Sequence, residues 1–112
     1  VVNVKGATTA AGMFMNCYNL ETVDLSGFET STVTDMSNMF DMSDGEYSRL
    51  SYLNLSNLNT SNVTDMRQMF SGCTALSSLD IDSWDTRKVT DMREMFNDCS
   101  SLHGLNISKH QM

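Results

Sequence analysis

Apolar residues recur along the chain within one phrase, Val-Thr-Asp-Met-x-x-Met-Phe, which occupies residues 33–40, 63–70 and 89–96. A degenerate copy with Met and Phe in the same two final places occupies residues 7–14. The phenylalanines therefore stand at positions 14, 40, 70 and 96, with steps of 26, 30 and 26 residues. A fixed period of this length is typical of solenoids, in which each repeat is one coil that contacts only its neighbours.

Each repeat contains two different hydrophobic patterns. Leu79 and Ile81 alternate with polar residues, which predicts a short half-buried strand, and its equivalents lie at 23–25, 53–55 and 105–107. After a polar loop, apolar residues recur every three or four positions, which is helical spacing, at Val89, Met92, Met95, Phe96 and Cys99. We expect Thr90 to be the N-cap and Asp91 to lie in the first turn, with a 3₁₀-like turn as the alternative.

The predicted fold is an α/β solenoid, a leucine-rich-repeat-like right-handed superhelix. It would have about four coils, at about residues 7–32, 33–62, 63–88 and 89–112, all within a single domain over 1–112. Parallel β-strands would line one face and short helical turns the other. The return loop at 42–49 is longer in the second coil, and such insertions often map to the binding face. In the loops, the repeated Thr30, Thr60 and Thr86 are expected to hydrogen-bond backbone groups.

The full phrase at residues 76–102 reads Leu-x-x-Leu-Asp-Ile-x-x-Trp-Asp-Thr-x-x-Val-Thr-Asp-Met-x-x-Met-Phe-x-x-Cys-x-x-Leu. It resembles the 26-residue repeat of BspA-like leucine-rich-repeat bacterial surface proteins. This resemblance implies an extracellular or cell-surface location, a role in adhesion and no shared catalytic residues. Because the chain opens within a degenerate repeat, we expect it to be a fragment of a longer surface protein.

Charge and composition narrow the classes of function. The net charge is −7, and the basic residues are spread singly apart from Arg87 and Lys88, so we expect no nucleic-acid partner. No apolar run is long enough for membrane insertion. The sequence has no nucleophile motif, and the two histidines have no partner at metal-ligand spacing, so we expect neither catalysis nor a cofactor. The stacked Asp35, Asp65 and Asp91 are interpreted as capping residues, with a calcium site as the alternative.

The predicted binding surface is the outward face of the strands together with the 42–49 insertion. Tyr52 is one aromatic residue among small polar neighbours, and aromatic residues are enriched at interaction hot spots. The predicted contact residues are Tyr52, Asn54, Asp80, Asp82, Asp24 and Tyr47. The partner would be a protein or glycoprotein, including host extracellular matrix. The alternatives are solvated surface residues without a ligand, and a chain that is a structural spacer or stalk presenting another domain.

Three cysteines stand at positions 17, 73 and 99, each three residues after a repeat phenylalanine. The sequence allows two interpretations of this column. The cysteines are either small buried thiols that fill tight corners, or Cys73 and Cys99 are bridged between adjacent repeats. Trp84 occupies a fixed repeat position too, which favours packing between repeats over a carbohydrate platform.

Overall fold

In the part of the chain that the structure describes, regular secondary structure is confined to two short strands. The computed structural model describes residues 6–45, 48–55 and 58–103. Strand β1 (Thr22–Asp24) pairs in parallel with strand β2 (Tyr52–Asn54), and Val23 lies opposite Leu53. The first two predicted strands are thus confirmed to within one residue. The third, at 79–81, does not form a strand, and residues 105–107 and His110 lie outside the described residues.

The predicted four-coil α/β solenoid is wrong. None of the described residues is helical, and a sheet of only two strands is present among them. The molecule measures 33 × 31 × 21 Å, with a radius of gyration of 12.8 Å, which is about the value expected for a compact globule of roughly 100 residues. The predicted row of helical turns and the leucine-rich-repeat architecture are therefore not formed.

Consecutive tight turns replace the predicted helices, in four stretches that we call the turn segments (residues 9–16, 35–42, 65–72 and 91–98). Isolated parallel bridges join Thr9 to Asp35, Asp35 to Asp65, and Asp65 to Asp91. Beginning one residue after each bridge, every second N–H group of the first three segments donates to a carbonyl of the next segment. The Phe40 N–H, for example, donates to the Met69 carbonyl at 2.8 Å. Several intervening N–H groups donate three residues back within their own segment, as Asp41 does to Asn38. The 3₁₀-like alternative describes this hydrogen bonding better than the α-helix does.

Backbone conformation explains why the helical spacing failed as a prediction. Gly12, Asn38, Gln68 and Glu94 share one repeat position, and each has a positive φ between 55° and 66°. A left-handed residue interrupts an α-helix and costs a non-glycine residue roughly 1–2 kcal/mol. The hydrogen bonds between segments offset this cost, because the donors that a helix would use internally bind the neighbouring repeat instead.

The core is a set of columns in which equivalent side chains stack. Phe14, Phe40, Phe70 and Phe96 form one parallel column, with centroid separations of 5.3, 5.7 and 5.7 Å and interplanar angles of 5° or less. The inner rings, Phe40 and Phe70, are fully buried, whereas the two end rings are half-buried. Trp84 is buried and stacks on Phe70 at 6.2 Å, which confirms that it packs inside the protein.

Threonine hydroxyls tie the loops of adjacent repeats together, which confirms the hydrogen bonding predicted for Thr30 and Thr60. The Thr30 hydroxyl donates to the Asn59 carbonyl at 3.2 Å and accepts from the Asn59 N–H at 2.8 Å. The Thr60 hydroxyl makes the same pair of bonds with Asp85, at 3.1 and 2.9 Å. Both threonines are buried, so these bonds satisfy hydroxyl groups that are shielded from water.

The 42–49 insertion crosses the next repeat at Gly72. A Cβ atom at residue 72 would lie 2.7 Å from the backbone of Ser43, and Gly72 has a φ of +78°. Glycine is therefore required there for two reasons, close backbone approach and conformation. Asp98 holds the equivalent place in the last repeat, with a φ of 59° and an exposed side chain.

Replacing Thr60 by Val should lower the free energy of unfolding by about 1–3 kcal/mol, because the N–H and C=O of the half-buried Asp85 lose their hydroxyl partner. Thr64→Val is the matched control. Its hydroxyl is exposed, and its acceptor, the Thr34 carbonyl, keeps the Thr64 N–H at 2.8 Å. Urea denaturation of both variants measures the difference, and equal losses would contradict the role given to Thr60.

Replacing Gly72 by Ala should lower the free energy of unfolding by at least about 2 kcal/mol, since the new methyl group meets Ser43 in addition to the cost of a positive φ. Gly12→Ala carries the conformational cost alone, because its φ is +66° and a Cβ atom there would meet only Met15 at 3.7 Å, and it should lose roughly 1–2 kcal/mol. Thermal unfolding of the two variants gives the comparison. If Gly72→Ala is no less stable than Gly12→Ala, the insertion does not pass over residue 72.

Candidate recognition cleft

A cleft opens on the strand side, where pairing between repeats stops. No backbone hydrogen bond joins residues 52–55 to residues 78–80 in the part of the chain that the structure describes. The space between them measures about 240 Å³. It is lined by Tyr52, Leu53, Asn54, Leu55, Ser78, Leu79 and Asp80. We call this space the strand-side cleft.

Backbone geometry turns one edge of β2 toward this cleft. The Tyr52 N–H and the Asn54 C=O are bonded on the opposite edge, to Glu21 and Leu25 of the first repeat. The backbone N–H and C=O groups of successive strand residues point alternately to the two edges of a strand. The N–H and C=O of Leu53 therefore face the cleft. The Leu53 side chain is buried, so the strand is fixed in the core while its edge stays available.

Three of the predicted contact residues line the cleft. Tyr52 is the most accessible, with 54% of its surface exposed. Asn54 is half-buried on the same strand, and Asp80 is exposed on the facing segment. The carboxylate of Asp80 also accepts the Asp82 N–H at 3.1 Å, which shapes the turn that follows.

The other predicted contact residues do not line it. Asp24 is exposed on β1, opposite Asn54 in the strand register. Hydrogen bonds from Ser26 hold the pKa of the Asp24 carboxyl below its usual value. Asp82 is exposed beside the cleft but not part of its lining. Tyr47 lies outside the described residues.

The sequence did not predict the apolar floor of the cleft, nor the loss of strand pairing that opens the cleft. The strand pattern predicts that Leu53, Leu55 and Leu79 face inward, whereas Ser78 belongs to the outward polar face that the sequence predicts for recognition. Residues 79–81 have the same apolar–polar alternation as the two segments that do form strands, so no signal in the sequence marks the place where pairing stops.

Two further recesses are lined by described residues, one in the loops and one along the turn segments. The cationic side chains in both recesses have polar partners. In the first, Arg87 binds Asp85 at 2.7 Å and Lys88 donates to Asn62 at 3.0 Å. The guanidinium of Arg87 holds the pKa of Asp85 at about 2. In the second, Arg93 binds Asp91 at 2.9 Å. Arg87 and Arg93 are thus ion-paired, and Lys88 is hydrogen-bonded to a neutral amide.

The carboxylates of the aspartate column bind backbone N–H groups. Asp35, Asp65 and Asp91 each accept the N–H group two residues on, at 2.9, 2.9 and 3.1 Å. This is an Asx-turn, and it replaces the predicted helix capping, because no helix begins there. Among residues 6–45, 48–55 and 58–103, no three His, Cys, Asp or Glu side chains are grouped as metal ligands would be.

The cysteines are free thiols, so the alternative of a Cys73–Cys99 bridge is wrong in this structure. Cys73 donates to the Phe40 carbonyl at 3.2 Å and Cys99 to the Phe70 carbonyl at 3.1 Å. Burial raises the pKa of Cys73 to about 12 and that of Cys99 to about 11. Cys17, by contrast, is exposed.

The comparison with family models gives a different result from the sequence resemblance. Residues 8–112 match the family described as "Mycoplasma protein of unknown function, DUF285". The chain belongs to this family. Its identification as a BspA-like leucine-rich-repeat protein is therefore wrong. No curated protein and no solved structure matches this DUF285 chain. Among its described residues, no helix is long and apolar enough to cross a membrane.

The DUF285 chain should show one fast-reacting thiol and two slow ones toward Ellman's reagent near pH 8. The thiolate is the reactive form, and the raised pKa values of Cys73 and Cys99 leave almost none of it at that pH. Adding denaturant should release both slow thiols. Cys17→Ser serves as the control and should abolish the fast phase; three fast thiols in the folded protein would contradict the burial described.

Proposed function

We propose that this DUF285 chain is a non-catalytic binding module that recognises an extended segment of a protein or glycoprotein in the strand-side cleft. The observation that carries this proposal is the open edge of β2, which faces a 240 Å³ space with an exposed Tyr52 beside it. The adhesion role that followed from the leucine-rich-repeat resemblance loses that support. The proposal rests on the cleft alone.

Strand addition is the binding mode that this geometry favours. An extended segment that adds to an exposed strand edge gains affinity from main-chain hydrogen bonds and specificity from pockets for alternate side chains. The Leu53 backbone offers one donor and one acceptor at the cleft, and Leu55 and Leu79 form an apolar floor for a small side chain. Tyr52 supplies a large amphipathic surface, which is the kind of side chain enriched at hot spots.

The polar residues of the cleft indicate which ligands suit it. Asp80 is exposed and accepts only one backbone bond among the described residues, so its carboxylate suits a ligand with N–H or O–H donors or with positive charge. The net charge of −7 likewise favours a positively charged ligand. Backbone amides, basic side chains and sugar hydroxyls all fit this description.

The 42–49 insertion supports the cleft from a distance. The Ser48 N–H donates to the Thr74 hydroxyl at 3.2 Å, and the Arg49 N–H donates to the Tyr18 carbonyl at 3.1 Å. These bonds attach the chain on both sides just before β2 begins. The described residues of the insertion do not line the cleft, so its proposed role changes from direct contact to placing β2. The extracellular or cell-surface location stays a prediction.

The double variant Tyr52→Ala with Asp80→Asn should weaken ligand binding at least about tenfold, which is about 1.4 kcal/mol. Asparagine at residue 80 can still accept the Asp82 N–H, so the turn and the melting temperature should be preserved. The probes are linear peptides selected on the wild-type chain from a displayed random library, and a glycan array read in parallel. Calorimetry on the selected probe measures the affinity.

Arg87→Ala is the matched control, because Arg87 is exposed and lies in a different recess. It should leave the affinity unchanged. If the double variant binds as tightly as the wild type, the cleft is not the binding surface. If a folded wild-type chain selects neither peptide nor glycan, the spacer or stalk hypothesis replaces the proposal.

A further inference from the structure

Repeat equivalence divides the two walls of the strand-side cleft into three positions. Residues 52–54 form β2, and residues 78–80 hold the same places one 26-residue step later. All six line the cleft. A ligand strand that adds to β2 places successive side chains at these positions in turn. The pairs across the cleft are Tyr52 with Ser78 at the first position, Leu53 with Leu79 at the middle position, and Asn54 with Asp80 at the third position.

The middle position favours a peptide main chain. The N–H and C=O of Leu53 face the cleft, and neither bonds to residues 78–80. A sugar hydroxyl can satisfy one of these groups, whereas a peptide strand presents a donor and an acceptor together at the spacing of a sheet. Leu53 is buried and Leu79 is half-buried, and both line the space. A ligand side chain that enters here therefore meets apolar surface.

The third position carries an open carboxylate. Asp80 is exposed, and its Oδ1 atom accepts the Asp82 N–H at 3.1 Å. Its second oxygen, Oδ2, has neither a hydrogen-bond donor nor a cationic partner within residues 6–45, 48–55 and 58–103. A carboxylate oxygen of this kind binds an ammonium or guanidinium group through charge-assisted hydrogen bonds. Asn54, on the opposite wall, is neutral and adds no competing charge.

The charges around the cleft favour a cation at the third position over the first. Two more exposed carboxylates lie near that end, Asp24 at the end of β1 and Asp82 just after the facing segment. The basic residue nearest to β2 along the chain, Arg49, instead precedes Tyr52 by three residues. The potential therefore becomes more negative toward the C-terminal end of the strands, which attracts and orients a basic ligand.

We propose that the strand-side cleft recognises a basic peptide segment, with an arginine or lysine beside Asp80 and an apolar residue next to it in sequence, between Leu53 and Leu79. The inference rests on the proposed function and narrows it to one class of ligand. Neighbouring side chains of a strand point to opposite faces, so the apolar one enters the cleft and the basic one stays at the surface. Tyr52 packs on the ligand residue at the first position.

Peptide selection in two arms tests this inference. A displayed library of random linear peptides is selected on the full wild-type chain and, separately, on Asp80→Asn. The wild-type arm should enrich arginine or lysine at one position of the aligned peptides, with an apolar residue adjacent to it. The Asp80→Asn arm should lack this basic position. Asparagine can still accept the Asp82 N–H, so the turn is retained. The order of the two ligand residues gives the direction of the added strand.

Calorimetry on one selected peptide then measures the contact itself. Replacing the peptide's arginine by citrulline, or its lysine by acetyl-lysine, removes the charge and keeps a side chain of similar length. This change should weaken binding to the wild type at least about tenfold. It should alter the affinity for Asp80→Asn by less than about twofold, because the partner charge is already absent.

Asp24→Asn is the matched control for overall charge. Asp24 holds the same repeat position as Asp80 and is also exposed, and its carboxylate accepts the Ser26 N–H at 2.9 Å in the same kind of turn. It lies on β1, across β2 from the cleft, and does not line it. Neutralising the peptide should therefore still cost Asp24→Asn at least about tenfold in affinity, as it costs the wild type.

A second variant covers a loss of folding in Asp80→Asn. Asp80→Ser also keeps an oxygen that can accept the Asp82 N–H, and it should behave in the same way. The inference is overturned, and the proposed function kept, if peptides that Tyr52→Ala weakens contain no enriched basic position. It is equally overturned if charge removal costs the folded Asp80 variants as much as the wild type, or if only glycans bind the cleft. A folded wild-type chain that selects neither peptide nor glycan overturns both.

Discussion

The hydrogen bonds that run from one turn segment to the next are the constraint on which the rest of this structure depends. They use every second N–H group of a segment, which leaves the intervening groups for tight turns and excludes an α-helix. They also fix the register between repeats. Once the register is fixed, equivalent side chains must stack, and the parallel phenylalanine column with its 5.3–5.7 Å spacing follows directly.

The polar residues of the repeat serve this backbone arrangement. A chain of turns leaves many N–H groups without a partner in regular secondary structure, and buried ones must be satisfied. Aspartate at 35, 65 and 91 binds the N–H two residues on, and the buried hydroxyls of Thr30 and Thr60 bridge adjacent loops. The carboxylates that the sequence predicted as helix caps, with a calcium site as the alternative, thus take part in turn formation.

Much of this could be predicted from the sequence, because a repeated phrase places equivalent residues in contact whatever the local conformation. The buried columns, the loop threonines and the first two strands were predicted on that basis. The helix was wrong because residues such as Gln68 and Glu94 are good helix formers on their own, and their left-handed conformation is imposed by bonds to the neighbouring repeat. The cleft could not be predicted either, since 79–81 has the same pattern as the segments that pair.

The two sides of the molecule are therefore suited to different tasks. On the turn side, four N–H···O bonds and an aromatic stack join adjacent segments at each junction. On the strand side, β1 and β2 pair over three residues, and Leu53 makes no backbone bond to residues 78–80 of the next repeat. The turn side can maintain the register there without the strands, because the same chain connects both. A strand edge that is not needed for stability is free to bind something else, and this separation makes the cleft, and not the turn segments, the candidate for recognition.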